Sequence, residues 1–475
     1  MKKDDKNIIF RQLPSVDSLL ESSVVKEFLL TTPRGLVLRA IHYVLDELRE
    51  RIDRAQTADE LPDLALRTVA DQIQKRIIIL SQPSLRQVIN ATGVIVHTNL
   101  GRSLLAKRVI STFNALASCY SNLEYDLKTG KRGSRYVHVE DILMELTGAE
   151  GAMVVNNNAA AVLIALDTIA KGKEVIISRG QLVEIGGSFR IPEVMRKSGA
   201  RMFEVGTTNK TTIRDYEAAI VSNTALLLKV HTSNFQTVGF TEEVPLDALV
   251  ALGKEYNLPV MEDLGSGCFI DFSRYGLTKE PTVQDSVAKG ADIITFSGDK
   301  MLGGPQCGII LGKKEIISAI KANQLARALR VDKLTILALQ ETLNLYRSEK
   351  KALRQIPTLR MICQSYQSVC RKAKKLLDTI GRVGNSTFSI SLCDGFSRVG
   401  GGAMPLEEIR SRLLCISPGK LSATHIANAL SSSNPPIIAR LEKDRVLLDA
   451  RTIQEKEIKI VAEAIKILSL KNTIT

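Results

Sequence analysis

Between residues 151 and 296 the chain carries six short apolar runs, each followed by polar or glycine residues and by a stretch of helical pattern. The runs are GAMVV (151–155), EVIIS (174–178), ARMFEV (200–205), ALLLKV (225–230), LPVMED (258–263) and ADIITF (291–296). This alternation predicts a mostly parallel sheet covered by helices, an α/β fold. In such sheets ligands bind at the carboxyl ends of the strands, where several of these runs end in polar residues.

The rest of the composition narrows the class. The 475 residues suffice for two or three domains and at least one large core. An apolar fraction of 44% and a charged fraction of 24% are ordinary for a soluble globular protein. No run reaches the roughly 18 apolar residues of a membrane span. The start, MKKDDKNIIFRQLPS, mixes acids with its lysines and has no apolar core, so no signal peptide is expected. The seven cysteines form no CxxC pair and no zinc-type spacing, so they read as cytosolic thiols, a cytoplasmic location follows, and no metal site is expected.

The net charge of +13 is unevenly spread. Residues 1–86 hold 14 Lys+Arg against 13 Asp+Glu, residues 87–330 hold 27 against 25, and residues 331–475 hold 23 against 13. The excess is C-terminal and includes RKAKK at 371–375. A basic face suits a polyanionic partner, although a solvated surface has the same composition.

Three domains are expected. Residues 1–82 form a helical domain with a linker. Within it Thr32-Pro33 suggests an N-cap and first helical residue, and Ile41, Leu45, Leu48 and Ile52 share one helical face. A second helical stretch covers about Leu64 to Leu80, and Pro83 marks the linker. Residues 83–330 form the large sheet domain. Residues 331–475 form a smaller α/β domain, with a long helical region, a strand at RVLLDAR and a final helix near 453–468.

The strand ends carry the chemistry. After GAMVV, Asn157 and Asn158 sit where strand gives way to helix; free N–H groups there make an anion site, or an asparagine simply caps the helix. Asp263 ends LPVMED and could pair with a ligand cation or a protonated ring nitrogen, or begin a turn. After ADIITF come Ser297, Asp299 and Lys300, then Gly303 and Gly304, which would let backbone approach a ligand. A lysine at the end of a buried strand needs a reason, because burial costs its solvation. Taken together these are the parts of a pyridoxal phosphate site. Lys300 forms the Schiff base, Asp263 keeps the pyridine nitrogen protonated, and the helix start with Ser297 holds the phosphate. A nucleotide-binding domain is the rival reading, but no GxGxxG or Walker motif stands in the right context. No aromatic residue offers itself to stack on the ring; Gln181 or Arg179 lies at that place.

Longer motifs sharpen this reading. INATGVIVHTNLGRSLLA (89–106), NLEYDLKTGKRGSRYVHVE (122–140), VVNNNAAAVLIAL, SRGQLVEIGGSFRIPEV, EVGTTNKT, MEDLGSGCFID and TFSGDKMLGGPQCGIILG strongly resemble bacterial selenocysteine synthase, the L-seryl-tRNA(Sec) selenium transferase family. The resemblance runs from LPSVDSLL (13–20) to RLEKDRVLLDARTI (440–453), with Gln181 standing where the family more often has glutamate. It implies a fold-type-I pyridoxal phosphate transferase with Lys300 as the covalent lysine, assembled as a homodecamer, a ring of five dimers. It implies that the N-terminal domain grips tRNA(Sec). It implies loss of water from seryl-tRNA(Sec) to give dehydroalanyl-tRNA, with Asp299 or Lys300 as proton donor, then addition of selenium from selenophosphate. Such a dianion calls for guanidinium groups. Arg102, Arg135, Arg327 and Arg330 match the family's active-site arginines, and the last two, three apart, would share a helical face. Two rivals remain: a lyase acting on sugar-acid phosphates, which lacks the N-terminal domain, and a tRNA-binding protein with a degenerate site.

Overall fold

The computed structural model describes residues 3–182, 184–185, 189–381 and 387–471. The chain divides into two compact units, Met1–Gln87 and Val88–Thr475.

The first unit is helical, with helices Lys3–Phe10, Val16–Glu21, Ser23–Leu29, Arg34–Arg54 and Leu66–Ser81. The expected stripe is its core: Ile41, Leu45, Leu48 and Ile52 are all buried, and Val69, Ile73 and Ile77 of the last helix are buried too. The long helix begins one residue later than the sequence suggested. Pro33 is its N-cap and not its first helical residue, because the Pro33 carbonyl already accepts the opening bond from the Leu36 amide at 2.8 Å.

Two sheets organise the second unit. In chain order their strands are β1 (Val94–Val96), β2 (Gly151–Val155), β3 (Glu174–Ser178), β4 (Arg201–Val205), β5 (Thr224–Val230), β6 (Val260–Gly265), β7 (Ile293–Ser297), β8 (Gly308–Gly312), β9 (Phe388–Gly400), β10 (Ala403–Pro418), β11 (Arg440–Glu442) and β12 (Arg445–Asp449). The large sheet has the order β2-β8-β7-β6-β5-β3-β4. Every neighbouring pair is parallel except those made by β8, which runs antiparallel to both β7 and β2. β8 is the one strand of this sheet that the alternating runs do not include. It returns straight from the turn after Lys300, with no helix between, and that reverses its direction.

The second sheet has the order β11-β12-β10-β9-β1. Helices Tyr366–Ile380, Ala423–Ser431 and Ile458–Lys471 cover it through Leu376, Ile426, Leu448 and Val461, all buried in one cluster. Residues 331–475 are not a compact unit of their own. Helices Lys333–Tyr346 and Pro357–Cys363 bury Leu339, Leu343 and Leu359 in the same cluster as Ile294 and Phe296 of the large sheet. Conversely β1, from the segment before the large sheet, pairs in parallel with β9.

The C-terminal basic excess is partly internal. Lys372 of the RKAKK run is buried, and its amine donates to the carbonyls of Arg451 and Ile453 at 3.1 and 2.9 Å. Arg451 is buried as well and donates to the carbonyls of Met361, Gln364 and Arg410. These two cations close backbone acceptors and do not face a partner. No helix among the described residues is long and apolar enough to cross a membrane.

Candidate active site

Every residue of β7 is buried, and the chain leaves it in a tight turn that keeps Asp299 and Lys300 buried too. The Gly298 amide donates to the Cys307 carbonyl, Gly304 to Gly298, and Gly303 to Lys300, at 2.8, 2.8 and 3.0 Å. Gly303 has φ +71°, and a Cβ there would lie 2.3 Å from Ile356 Cγ2. Gly303 and Gly304 therefore let the lysine turn pack against the helices behind it, facing Ile356, Thr358 and Thr342, instead of admitting a ligand as the sequence suggested.

Asp263 stands on β6, paired in register with Thr295 of β7. Its Oδ1 accepts from Asn158 Nδ2 at 2.8 Å, Thr295 Oγ1 at 3.1 Å and the Gly265 amide at 3.2 Å. Its Oδ2 is buried and has no partner among the described residues. Burial pushes the Asp263 carboxyl above the usual carboxylate range, against the pull of Asn158 and the Lys300 charge. Lys300 is held below the usual lysine range, first by burial, opposed by Asp263 and reinforced by Arg102. A lysine so placed gives up its proton more readily, as a covalent-bond-forming amine requires. A buried carboxylate oxygen left unpaired costs about 1–3 kcal/mol, so Asp263 Oδ2 points to a donor that the described residues do not supply.

The two asparagines separate. Asn157 is the N-cap of helix Asn158–Ala170, and its Oδ1 accepts from the Ala160 amide at 2.9 Å. Asn158 instead holds Asp263. Asn158 is committed to Asp263, whereas Asn157 spends only its oxygen on the cap, and the helix start itself lies beside Ser297. Gly308, the β8 partner of Ser297, is so close to the Asn157 carbonyl that a Cβ would sit 2.1 Å from its oxygen. Ser297 and the helix N-terminus thus flank one glycine at one sheet edge.

The arginines fall into two groups. Arg102, at φ +59°, places Nη1 3.0 and 3.3 Å from the two Asp299 carboxylate oxygens, while the Ser103 amide donates to the Asp299 carbonyl at 3.2 Å. Arg135 and Arg330 both turn to Glu124. Helix Leu325–Ala328 ends before Arg330, so Arg327 and Arg330 do not share a helical face as the spacing suggested. Arg327 is exposed and forms no ion pair among the described residues. Of the two candidates for ring stacking, Arg179 turns to Glu204. The Gln181 amide is held between the Val230 amide and Glu243, on the wall of a cavity of about 470 Å³ that also exposes His231.

Sequence reasoning missed two features. Ser233 Oγ is buried near Lys300 with no partner among the described residues. The β9–β10 turn, Gly400, Gly401 and Gly402, all at positive φ, closes over both: a Cβ on Gly402 would lie 3.6 Å from Lys300 Nζ and 3.6 Å from Ser233 Oγ. The GGG run was the available signal, but only the fold brings it to the lysine.

An unpaired buried carboxylate oxygen, a buried lysine in the turn that follows the next strand, and a helix start with a serine at the same edge fit pyridoxal phosphate. Fold and site together define a fold-type-I pyridoxal phosphate enzyme. Among solved structures, D-glucosaminate-6-phosphate ammonia-lyase has a similar fold, with a TM-score of 0.57 at 22% identity, covering 83% of this chain and 99% of that one. The family model described as L-seryl-tRNA selenium transferase matches residues 88–454, and that described as selenocysteine synthase N terminal matches residues 10–49. The L-seryl-tRNA(Sec) selenium transferase of Clostridium botulinum (strain Okra / Type B1) is 50% identical over 464 residues, 97% of this chain and 99% of that protein. That of Geobacter sulfurreducens is 49% identical over 461 residues, with the same coverage. The chain belongs to the L-seryl-tRNA(Sec) selenium transferase family, the pyridoxal phosphate-dependent transferases of selenocysteine biosynthesis.

Asp263→Asn removes the charge that a protonated ring nitrogen would meet. A hydrogen bond to a charged group contributes about 1.5–3 kcal/mol, so pyridoxal phosphate affinity of the apoprotein should fall roughly 10- to 100-fold in a fluorescence titration. Unchanged affinity would remove Asp263 from the cofactor site.

Proposed function

We propose that this chain performs its family's reaction, converting L-seryl-tRNA(Sec) to L-selenocysteinyl-tRNA(Sec) with selenophosphate as selenium donor. The observation that carries the proposal is the buried Lys300–Asp263 pair, inside the segment matched by the transferase family model. Pyridoxal phosphate, when bound, supplies an electron sink for the serine α-carbon. Asp263 Oδ2 holds its ring nitrogen. The first amides of helix Asn158–Ala170, beginning at Asn157, and Ser297 hold its phosphate. Lys300 would hold it covalently and, as a free neutral amine, would take the serine α-proton. Asp299 is tied to Arg102, so the newly protonated Lys300 is the donor for the departing hydroxyl. The β-hydroxyl leaves as water, the donor's selenium adds to the β-carbon of the dehydroalanyl group on the tRNA, and the P–Se bond of the donor is broken by water to release phosphate.

The donor is a small dianion. Arg327 and Arg330 lie on the segment that adjoins the start of helix Asn158–Ala170, where the Asn156 amide donates to the Leu329 carbonyl at 3.0 Å. Together with Arg135, and with Arg102 on the Asp299 side, they form its pocket. The N-terminal unit, nearly balanced in charge, recognises the tRNA body by shape and a few placed basic residues, and the assembly is a ring of five dimers in the cytoplasm. The lyase reading lacks support from the first unit, where the N-terminal model of this family matches.

Two outcomes follow. Arg327→Ala or Arg330→Ala should leave cofactor binding intact and lower selenium incorporation roughly 10- to 100-fold, the loss of about 1.5–3 kcal/mol of charge-assisted bonding. Normal incorporation in both would place the donor elsewhere. A chain beginning near Gln82 should keep pyridoxal phosphate but lose discrimination of seryl-tRNA(Sec) from seryl-tRNA(Ser), and its residual tRNA binding should be strongly salt-sensitive. Full discrimination by that chain, measured by filter binding, would rule out the role of the N-terminal unit.

A further inference from the structure

The guanidinium groups around Glu124 converge in an unusual way. Arg135 approaches Glu124 Oε1 with both Nε, at 3.0 Å, and Nη2, while Arg330 Nη1 stands 3.7 Å from the same oxygen. Arg132 Nη2 takes the other oxygen, Oε2, at 3.2 Å. Arg135 is the anchor: its side chain is only 11% exposed, and its remaining nitrogen, Nη1, donates to the Val331 carbonyl. Two N–H groups of one guanidinium donating to a single oxygen, with a second guanidinium in ion-pair range of it, is how arginines receive an oxyanion. With Glu124 in place, the three arginines still carry a surplus of two positive charges. Glu124 itself is 29% exposed, at the base of the short hairpin pairing Tyr125–Asp126 with Lys131–Arg132, and has solvent to turn into. The hydrogen bond from Arg135 holds its carboxyl below the usual range, so it is a charged occupant of the seat at neutral pH.

We propose that Glu124 is an internal counter-ion occupying the anion seat of Arg135 and Arg330, and that a tetrahedral dianion of the phosphate class binds by displacing it. The inference rests on the reading of these arginines as the donor pocket. In the exchange no covalent bond changes. The N–H donors pass from Glu124 Oε1 to the oxygens of the dianion, and the glutamate is rehydrated. A dianion with three or more oxygens outcompetes a carboxylate with two, whereas chloride or a monocarboxylate does not, so Glu124 keeps weak anions out of an otherwise attractive pocket. The same contacts could be read as a staple for the hairpin, and the two roles part in their effect on anion affinity.

The test is calorimetric titration of the full-length, pyridoxal phosphate-loaded protein with inorganic phosphate, the cofactor's own cradle being filled. Glu124→Gln should bind phosphate about tenfold more tightly than the unaltered chain, because the competing charge is gone. Glu124→Asp keeps the charge but shortens its reach, and should tighten binding by less; it decides the matter if the glutamine variant does not fold. Unchanged or weaker phosphate binding in the folded variants would overturn the proposal and leave Glu124 a staple. Arg330→Gln separates the two levels. If it weakens phosphate binding while Glu124→Gln brings no gain, only the counter-ion role fails. If it leaves phosphate binding unchanged, the arginine pocket itself is elsewhere and both readings fall.

Discussion

The structure depends on two opposite charges held out of water at the ends of adjacent strands. Asp263 and Lys300 are each more than nine-tenths buried, and each is shifted toward its neutral form by that burial. Such pairs do not stabilise a fold well, because the cost of desolvation can exceed the attraction gained. This one is also incompletely satisfied: Asp263 Oδ2 and the nearby Ser233 Oγ have no partner, and Lys300 makes no side-chain hydrogen bond among the described residues. A protein that keeps such a deficit keeps it for a group that completes it. Much of the local architecture serves the arrangement. Thr295 and Asn158 fix one oxygen of Asp263 so that the other stays open. Gly303 lets the Lys300 turn seat against the helix beginning at Pro357, and Gly402 brings the second sheet's hairpin over the amine without filling the space beside it.

What was legible in the sequence was local. The runs GAMVV and EVIIS are strands at the predicted residues, and the other four begin or end within two residues of expectation; five of the six lie inside the sheet or against its core and leave an unbroken apolar signature, while Arg201–Val205 is a largely exposed edge strand. Asp263 and Lys300 were readable because charged residues at the ends of such runs are rare without cause. What depends on tertiary structure was not. Asn157 and Asn158 are identical neighbours with different tasks, and only the helix start decides which one caps it and which reaches Asp263. The shared helical face of Arg327 and Arg330 disappears because the helix stops at Ala328. Of the charges counted toward a basic C-terminal face, Lys372 and Arg451 are buried on backbone carbonyls, a fate composition does not reveal.

The arginines show how one residue type divides its work. Arg102 is used internally: it grips Asp299, next to the lysine, in a left-handed backbone conformation uncommon for a side-chain-bearing residue. Arg135 and Arg330 meet a part-exposed glutamate at the base of a short hairpin. Arg327 has no counter-ion among the described residues and is open to a ligand directly.

The central claim is that Lys300 carries the cofactor. The most direct measurement is borohydride reduction of the pyridoxal phosphate-loaded protein, followed by proteolysis and mass-spectrometric mapping of the modified lysine. Stoichiometric modification is expected at Lys300 alone, within the peptide containing SGDKMLGG. Modification at another lysine, or a protein that binds the cofactor but cannot be reduced onto any residue, would contradict it.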